Sequence, residues 1–312
     1  MYFPYLRGKQ FELIALRELI DVIVGSGNIH SIIEPVRNST STLNITLNQL
    51  IENEIPFSFI INPTVGDFTD DYEAVINIIN ENLSNYDNYQ IGVLVESSTD
   101  FDLVQGLIDN VDNNNQLLII HRSRHPDSAR LEQFVNDNDV KFNLVNETIP
   151  LRRYRRIIEP DTKIILDDAF NSKSTNASYA DTPDEFFSEE YLFYEEDGFV
   201  GFSDYLTIGN DYSDSGFAPY AVAIHLTYLN ENGQIWIRHF VSDSNDDYSD
   251  VAGTYREALE KLIEFIENEN INSIACTNFR NQFNTGHYPG LGSVKKLSIM
   301  HHIELVSGLL QE

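Results

Sequence analysis

Cysteine is almost absent. Cys276 stands alone among 312 residues, which excludes a disulfide framework and a cysteine-based zinc site within one chain. A buried, inert thiol is expected. No run of about 18 apolar residues occurs, so no membrane span is expected. The N-terminus lacks a basic segment followed by an apolar one, so no signal peptide is read and a cytoplasmic location is expected. Basic residues are scarce: 20 Lys and Arg face 49 Asp and Glu, a formal charge of −29. Such a surface repels a phosphate backbone and argues against direct binding of DNA or RNA. It serves solubility, or it offers a face to a basic partner. No glycine-rich dinucleotide fingerprint follows a strand, and no Walker sequence is present.

What is present is one repeated unit. The run Tyr2-Phe-Pro-Tyr-Leu-Arg7 is a short apolar strand ending in a basic residue. Gly8 breaks it, and Leu16, Leu19, Ile20 and Ile23 then recur at helical spacing. The unit returns at His30–Glu34, Phe57–Asn62, Gln90–Glu96, Gln116–His121, Val140–Asn146, Lys163–Asp168 and Phe199–Tyr205. Most of these runs are continuous rather than alternating, as in strands buried on both faces. Eight strands separated by amphipathic segments predict a (β/α)8 TIM-like barrel over residues 1–212, with a doubly wound open sheet as the alternative. A helix is expected near Pro183–Tyr194, after a polar loop.

Beyond residue 212 the pattern changes to a C-terminal α+β extension. Tyr220–Tyr228 and Gln234–Val241 read as a hairpin with Asn232-Gly233 at its turn. A long helix carrying Tyr255, Leu259, Leu262 and Ile266 follows, then a strand at Ser273–Thr277 and a last helix near Ser293–Leu309. Tyr220–Tyr228 is also a candidate for the last barrel strand, and the rest of the extension would then complete or cap the barrel.

Barrels of this kind carry their active sites at the carboxyl ends of the strands. Those positions hold Arg7, Glu34, Asn62, Glu96, His121 with Arg122, Asn146 with Glu147, Asp167 with Asp168, and Asp204. Of these, Arg7, Glu34, Glu96, His121, Asp168 and Asp204 are the candidate catalytic residues. Glu34, Glu96 and Asp168 are candidate ligands of a hard divalent ion, Mg²⁺ or Mn²⁺. Adjacent Asp167 and Asp168 face opposite ways in a strand, so at most one can look inward. His225 and His239, on the later hairpin, could add nitrogen ligands if that hairpin reaches the barrel mouth. Polar strand ends are also the ordinary consequence of leading into solvent.

Between Arg122 and Arg156, eight basic residues stand against five acidic ones. Arg152, Arg155 and Arg156 would share a helix face and could hold a phosphate, a cofactor or a partner's acidic patch. Separately, the loop Asn284–Lys296, with Lys295, could bind an anion at a helix start. Salt bridging to the acidic surroundings is the plainer reading of the arginines, and a simple capped loop that of Asn284–Lys296. His301-His302 read as partly exposed helix surface. Gly201–Asp211 reads as a binding loop or a structural turn.

Three segments carry a family resemblance: Tyr2-Phe-Pro-Tyr-Leu-Arg-Gly-Lys-Gln-Phe-Glu-Leu-Ile-Ala-Leu, Ile32-Ile-Glu-Pro35 and Phe202-Ser-Asp-Tyr-Leu-Thr-Ile-Gly209. Together they resemble the Beta protein family of phages and bacteria, and in particular a bacterial branch often encoded beside a nuclease-like protein. Arg7 stands where that family often has lysine. The resemblance implies a barrel-like fold, a role in phage–host conflict and a neighbouring nuclease-like protein as partner. It supplies no catalytic residues. The expected functions are a metal-dependent hydrolase or phosphate-ester enzyme, or instead an acidic, non-enzymatic binding or regulatory protein.

Overall fold

Tyr2 joins the two ends of a ring of parallel strands. It bridges Ile29 on one side and Phe202 on the other, both in parallel sense. The Phe3 amide donates to the Phe202 carbonyl at 2.8 Å, and the Phe202 amide to the Met1 carbonyl at 3.1 Å. The computed structural model describes residues 1–112, 116–146, 157–213, 219–245 and 249–311. Among these the chain forms two compact units.

The first unit comprises Met1–Leu13, Ile20–Asp167 and Glu190–Asp204. Its strands are β1 (Tyr5–Leu6), β2 (Ser31–Ile33), β3 (Phe57–Ile60), β4 (Tyr89–Val95), β5 (Leu117–His121), β6 (Val140–Val145) and β7 (Lys163–Asp167). The next, β8 (Asp184–Ser188), belongs to the second unit, and β9 (Gly201–Asp204) is the eighth barrel strand. The order β1-β2-β3-β4-β5-β6-β7-β9 is parallel throughout. With the Tyr2 closure this is a (β/α)8 barrel, and the open sheet is excluded. Tyr220–Tyr228 takes no part in it.

The amphipathic stripes form the outer layer of this unit. They lie on the start of α1 (Gln10–Glu18, which from Ile14 on belongs to the second unit), and on α2 (Ile20–Ser26), α3 (Ser41–Glu52), α4 (Tyr72–Leu83), α5 (Phe101–Asp109) and α6 (Ser128–Asp137). Helix α4 buries Val75, Ile76, Ile79 and Leu83, and the Asp71 side chain caps it by accepting the Ala74 amide. A short α7 (Glu190–Phe193) precedes β9.

Ring contacts fix which face of each strand looks inward. Phe3, His30 and Phe142 meet with centroids 5.0–5.7 Å apart. His30 leads into β2 and Phe142 lies on β6, four strands away, so these rings can meet only inside the barrel. Strand pairing then propagates the assignment. Ser58 accepts or donates at 2.9 Å to His30 and pairs with Ile32 and Gln90. Phe142 pairs with Leu118, Leu118 with Gly92, and Gly92 with Ile60. Gly201 also faces inward, where a Cβ would come within 2.6 Å of the Phe3 ring.

The second unit comprises Ile14–Leu19, Asp168–Glu189 and Tyr205–Glu312. Its sheet, in order β10-β11-β8, is antiparallel, with β10 (Ala223–Leu229) and β11 (Ile235–Val241) joined by the expected hairpin. Gly233 takes φ +76° at the turn. The helices are α8 (Val251–Asn268), α9 (Ile274–Thr285) and α10 (Leu291–Leu309). Phe265 of α8 packs on Tyr228 and Phe240, on one face of the sheet. His301 and His302 of α10 bond Thr227 on the other.

Two expected elements differ. Pro183–Tyr194 forms β8 and then α7, not one helix, because Glu185, Phe186 and Ser188 pair with β11. Ser273–Thr277 starts a helix, not a strand: the Ser273 hydroxyl caps it by accepting the Cys276 amide at 2.9 Å. His301 and His302 are buried rather than partly exposed. No helix among the described residues is long and apolar enough to cross a membrane.

Candidate functional site

The inward set continues past the strand ends. Tyr5 pairs with Ile32, so Tyr5 and Arg7 share the inner face, as do Ile32 and Glu34. Leu94 and Ile120 pair across β4 and β5, which puts Glu96 and Arg122 on the same side. The contacts agree with this parity. The Tyr5 hydroxyl donates to Glu34 Oε2 at 2.7 Å, and Arg7 Nε lies 3.4 Å from the same oxygen. Glu34 Oε1 accepts the Thr64 amide at 3.2 Å. Thr64 Oγ1 in turn accepts from Arg122 Nη1 at 2.7 Å, and Arg122 Nη1 lies 3.5 Å from Glu96 Oε1. One polar chain thus runs over the carboxyl ends of β1 to β5: Arg7, Glu34, Thr64, Arg122, Glu96.

Its two ends differ in exposure. The Arg7 and Glu34 side chains are 4% and 0% exposed, whereas Arg122 and Glu96 are 17% and 33% exposed. Glu12, in the first turn of α1, accepts the Arg7 amide. Gly8 allows the tight passage between them. It has φ +59°, and a Cβ there would stand 2.7 Å from the Glu34 carbonyl oxygen. Asn62 clips β3 to β4 by bonding both the amide and the carbonyl of Leu94 at 2.9 Å. The result is a buried ion pair behind a part-exposed guanidinium and carboxylate, suited to gripping an anionic group and handling a proton beside it.

The other expected residues lie elsewhere. His121 pairs with Val95 and Val145, opposite in parity to the inward Ile120. It therefore faces away from the barrel interior, where Nε2 meets Asn143 Oδ1 at 3.0 Å. Burial, partly offset by this hydrogen bond, pushes His121 down to about 4, so it is neutral at pH 7. Asp204 is outward as well and accepts from the Tyr2 hydroxyl at 2.7 Å. Burial and the Asp204 charge push the Tyr2 hydroxyl well above its ordinary range. Asp167 shares that outward parity through its pairing with Asp204.

Asp168 belongs to the second unit, accepts the Asn210 amide at 3.1 Å and lines a groove with Phe170, Asn171 and Ser172. Lys295 is exposed on α10, also in the second unit. Arg152, Arg155, Arg156 and Glu147 lie outside the described residues.

The proposed metal ligands Glu34, Glu96 and Asp168 are not gathered. Each carboxylate has its own partner, and two of those partners are arginines. Among the described residues no group of three or more His, Cys, Asp or Glu stands placed to hold a metal ion. Sequence reading missed Tyr5, Glu12 and Thr64. Tyr5 was accessible from the two-residue parity with Arg7. Thr64, in the loop after Pro63, gave no signal.

No family model matches the sequence, and no curated protein matches it. Among solved structures, the chain is similar to N-acetylneuraminate lyase from Mycoplasma synoviae at 12% identity and TM-score 0.41, over 65% of this chain and 68% of that one. It is also similar to a chain of the tryptophan synthase a2b2 complex from Pyrococcus furiosus at 12% identity and TM-score 0.40, over 66% of this chain and 88% of that one.

Proposed function

We propose that the chain is an enzyme that binds a small anionic substrate, most simply a phosphate ester, at the carboxyl end of its barrel and hydrolyses it there. The observation that carries this reading is the continuous Arg7–Glu34–Thr64–Arg122–Glu96 chain, because the buried Arg7–Glu34 pair adds little net stability and yet Glu34 is aligned by three partners, Tyr5, Arg7 and Thr64. Arg122 holds the substrate's anionic group. Glu96, beside it, takes a proton from the attacking water. Arg7, Glu34 and Tyr5 position Thr64, and through it Arg122. Mg²⁺ or Mn²⁺ enters the proposal as an ion arriving with the substrate, since Arg7 and Arg122 already neutralise the two carboxylates. Hydrolysis of p-nitrophenyl phosphate and bis-p-nitrophenyl phosphate by the wild type, Glu96→Gln and Arg122→Ala tests it. Turnover that is lost in both variants supports the reading, and turnover indifferent to both rejects it.

Membership of the Beta protein family, a cytoplasmic setting and a part in phage–host conflict belong to the same proposal and rest on the segments around Arg7, Glu34 and Phe202. A second reading, a non-enzymatic acidic partner of a neighbouring nuclease-like protein, is favoured by the charge of −29. It requires a complex with that protein at low salt that dissociates as salt rises.

A further inference from the structure

The second unit holds a polar cluster that the barrel site does not use. Glu185 Oε1 accepts from Lys173 Nζ at 2.8 Å and from Asn171 Nδ2 at 3.0 Å. Its other oxygen lies 3.1 Å from His239 Nε2. His239 Nδ1 lies 2.8 Å from His225 Nδ1. The two histidines are cross-strand neighbours on β10 and β11. Tyr179 lies 4.6 Å from both imidazoles, and Phe170 lies 5.1 Å from His225, so aromatic rings hold the imidazoles in place.

With the charge states of Glu185 and His239, these contacts order the protons along the cluster. Burial pushes the Glu185 carboxyl up, but hydrogen bonds from Lys173, His239 and Asn171 outweigh it and hold the group below its ordinary value. Glu185 is therefore ionised at neutral pH and can only accept. His239 must donate from Nε2. Burial holds His239 below its ordinary value, so its Nδ1 carries a lone pair. That lone pair accepts the hydrogen of His225 Nδ1. His225 then presents a bare lone pair at Nε2, and among the described residues no group donates to it. His225 is half-buried and shares a face of β10 with Thr227, the face on which α10 bonds through His301 and His302. Lys295 lies near the first turn of α10, and burial, His239 and Lys295 keep His225 neutral. Glu185 orients His239, and His239 orients His225 through Nδ1, which extends by one imidazole the carboxylate-oriented arrangement of a general base.

We propose that Glu185, His239 and His225 form a relay whose open end, His225 Nε2, is the general base of a second site, taking a proton from a hydroxyl or water of an anionic ligand held near Lys295. The donor's O–H bond breaks and an N–H bond forms at Nε2. The resulting imidazolium keeps Nδ1–H on His239 and faces the Glu185 charge through it. The donor oxygen is left negative, in the field of Lys295.

The test uses the full chain. Long-range ¹⁵N–¹H correlation assigns tautomers in the wild type, with Nδ1–H and a bare Nε2 expected on His225 and Nε2–H on His239. Diethyl pyrocarbonate at neutral pH, followed by peptide mass mapping, then reads the lone pair, with exposed His287 as internal reference. His225 is expected to react readily and to slow several-fold in Glu185→Gln. Inorganic phosphate is expected to protect it, and that protection to vanish in Lys295→Ala, while His287 is unchanged throughout. An Nε2–H signal on His225, or an inert His225, overturns the relay. Reactivity indifferent to phosphate overturns the anionic ligand.

Discussion

Tyr5 and Glu34 meet at 2.7 Å, hydroxyl to carboxylate, where the first two barrel strands end, and both side chains are buried. Arg7 Nε lies 3.4 Å from the same carboxylate oxygen. A buried charge with one cationic partner is sensitive to loss of that partner and tolerant of loss of both. Arg7→Met is expected to destabilise by about 3–5 kcal/mol, because it strands the Glu34 charge. Arg7→Met/Glu34→Leu is expected to recover most of this. Urea unfolding of both variants checks it, and a double variant as unstable as the single one contradicts it.

Arg122 and Glu96 call for the opposite behaviour. Their pair is part-exposed, so Arg122→Ala is expected to change stability by less than about 1 kcal/mol. Anion binding is expected to fall sharply in the same variant. Thermal unfolding and phosphate titration on one preparation separate the two effects.

Two glycine substitutions are expected to differ in sign. Gly8→Ala forces φ +59° on an L-residue and drives its Cβ toward the Glu34 carbonyl oxygen, for a loss of about 1–3 kcal/mol. Gly106 lies inside α5 with open space around its Cβ position, so Gly106→Ala is expected to gain about 0.5–1 kcal/mol. Denaturant midpoints of the two proteins test the pair.

Three buried histidines make folding acid-sensitive. Burial pushes His30 to about 3 and both His121 and His301 to about 4. The unfolded chain binds these protons near pH 6.5 while the folded chain refuses them. Their stabilising effect is therefore complete above about pH 6.5 and is lost as pH falls toward 4, at up to about 1.4 kcal/mol per pH unit for each histidine. His121→Gln is expected to reduce the drop in stability between pH 7 and pH 5. Equal drops in wild type and variant would falsify the assignment.

The barrel was legible because its strands are continuous apolar runs cut by Pro35, Pro63 and glycine, and its helices carry clear stripes. The mouth was legible only in part. Glu34, Glu96, His121 and Asp204 look alike as polar strand ends, but their facing depends on parity. Parity is anchored by Phe3, His30 and Phe142, which lie far apart in sequence. β8 was hidden for a related reason: Asp184–Ser188 becomes a strand through pairing with Arg238 to Ile235, and nothing local announces it.

In the proposed function, the Glu34–Thr64–Arg122–Glu96 chain is a working anion site. Calorimetric titration of wild type and Arg122→Ala with inorganic phosphate and pyrophosphate at low salt tests it most directly. Loss of the Arg122-dependent binding event in Arg122→Ala, with the variant still folded and the phosphate protection of His225 unchanged, is the expected result. Equal binding by the two proteins, or none by the wild type, would contradict it.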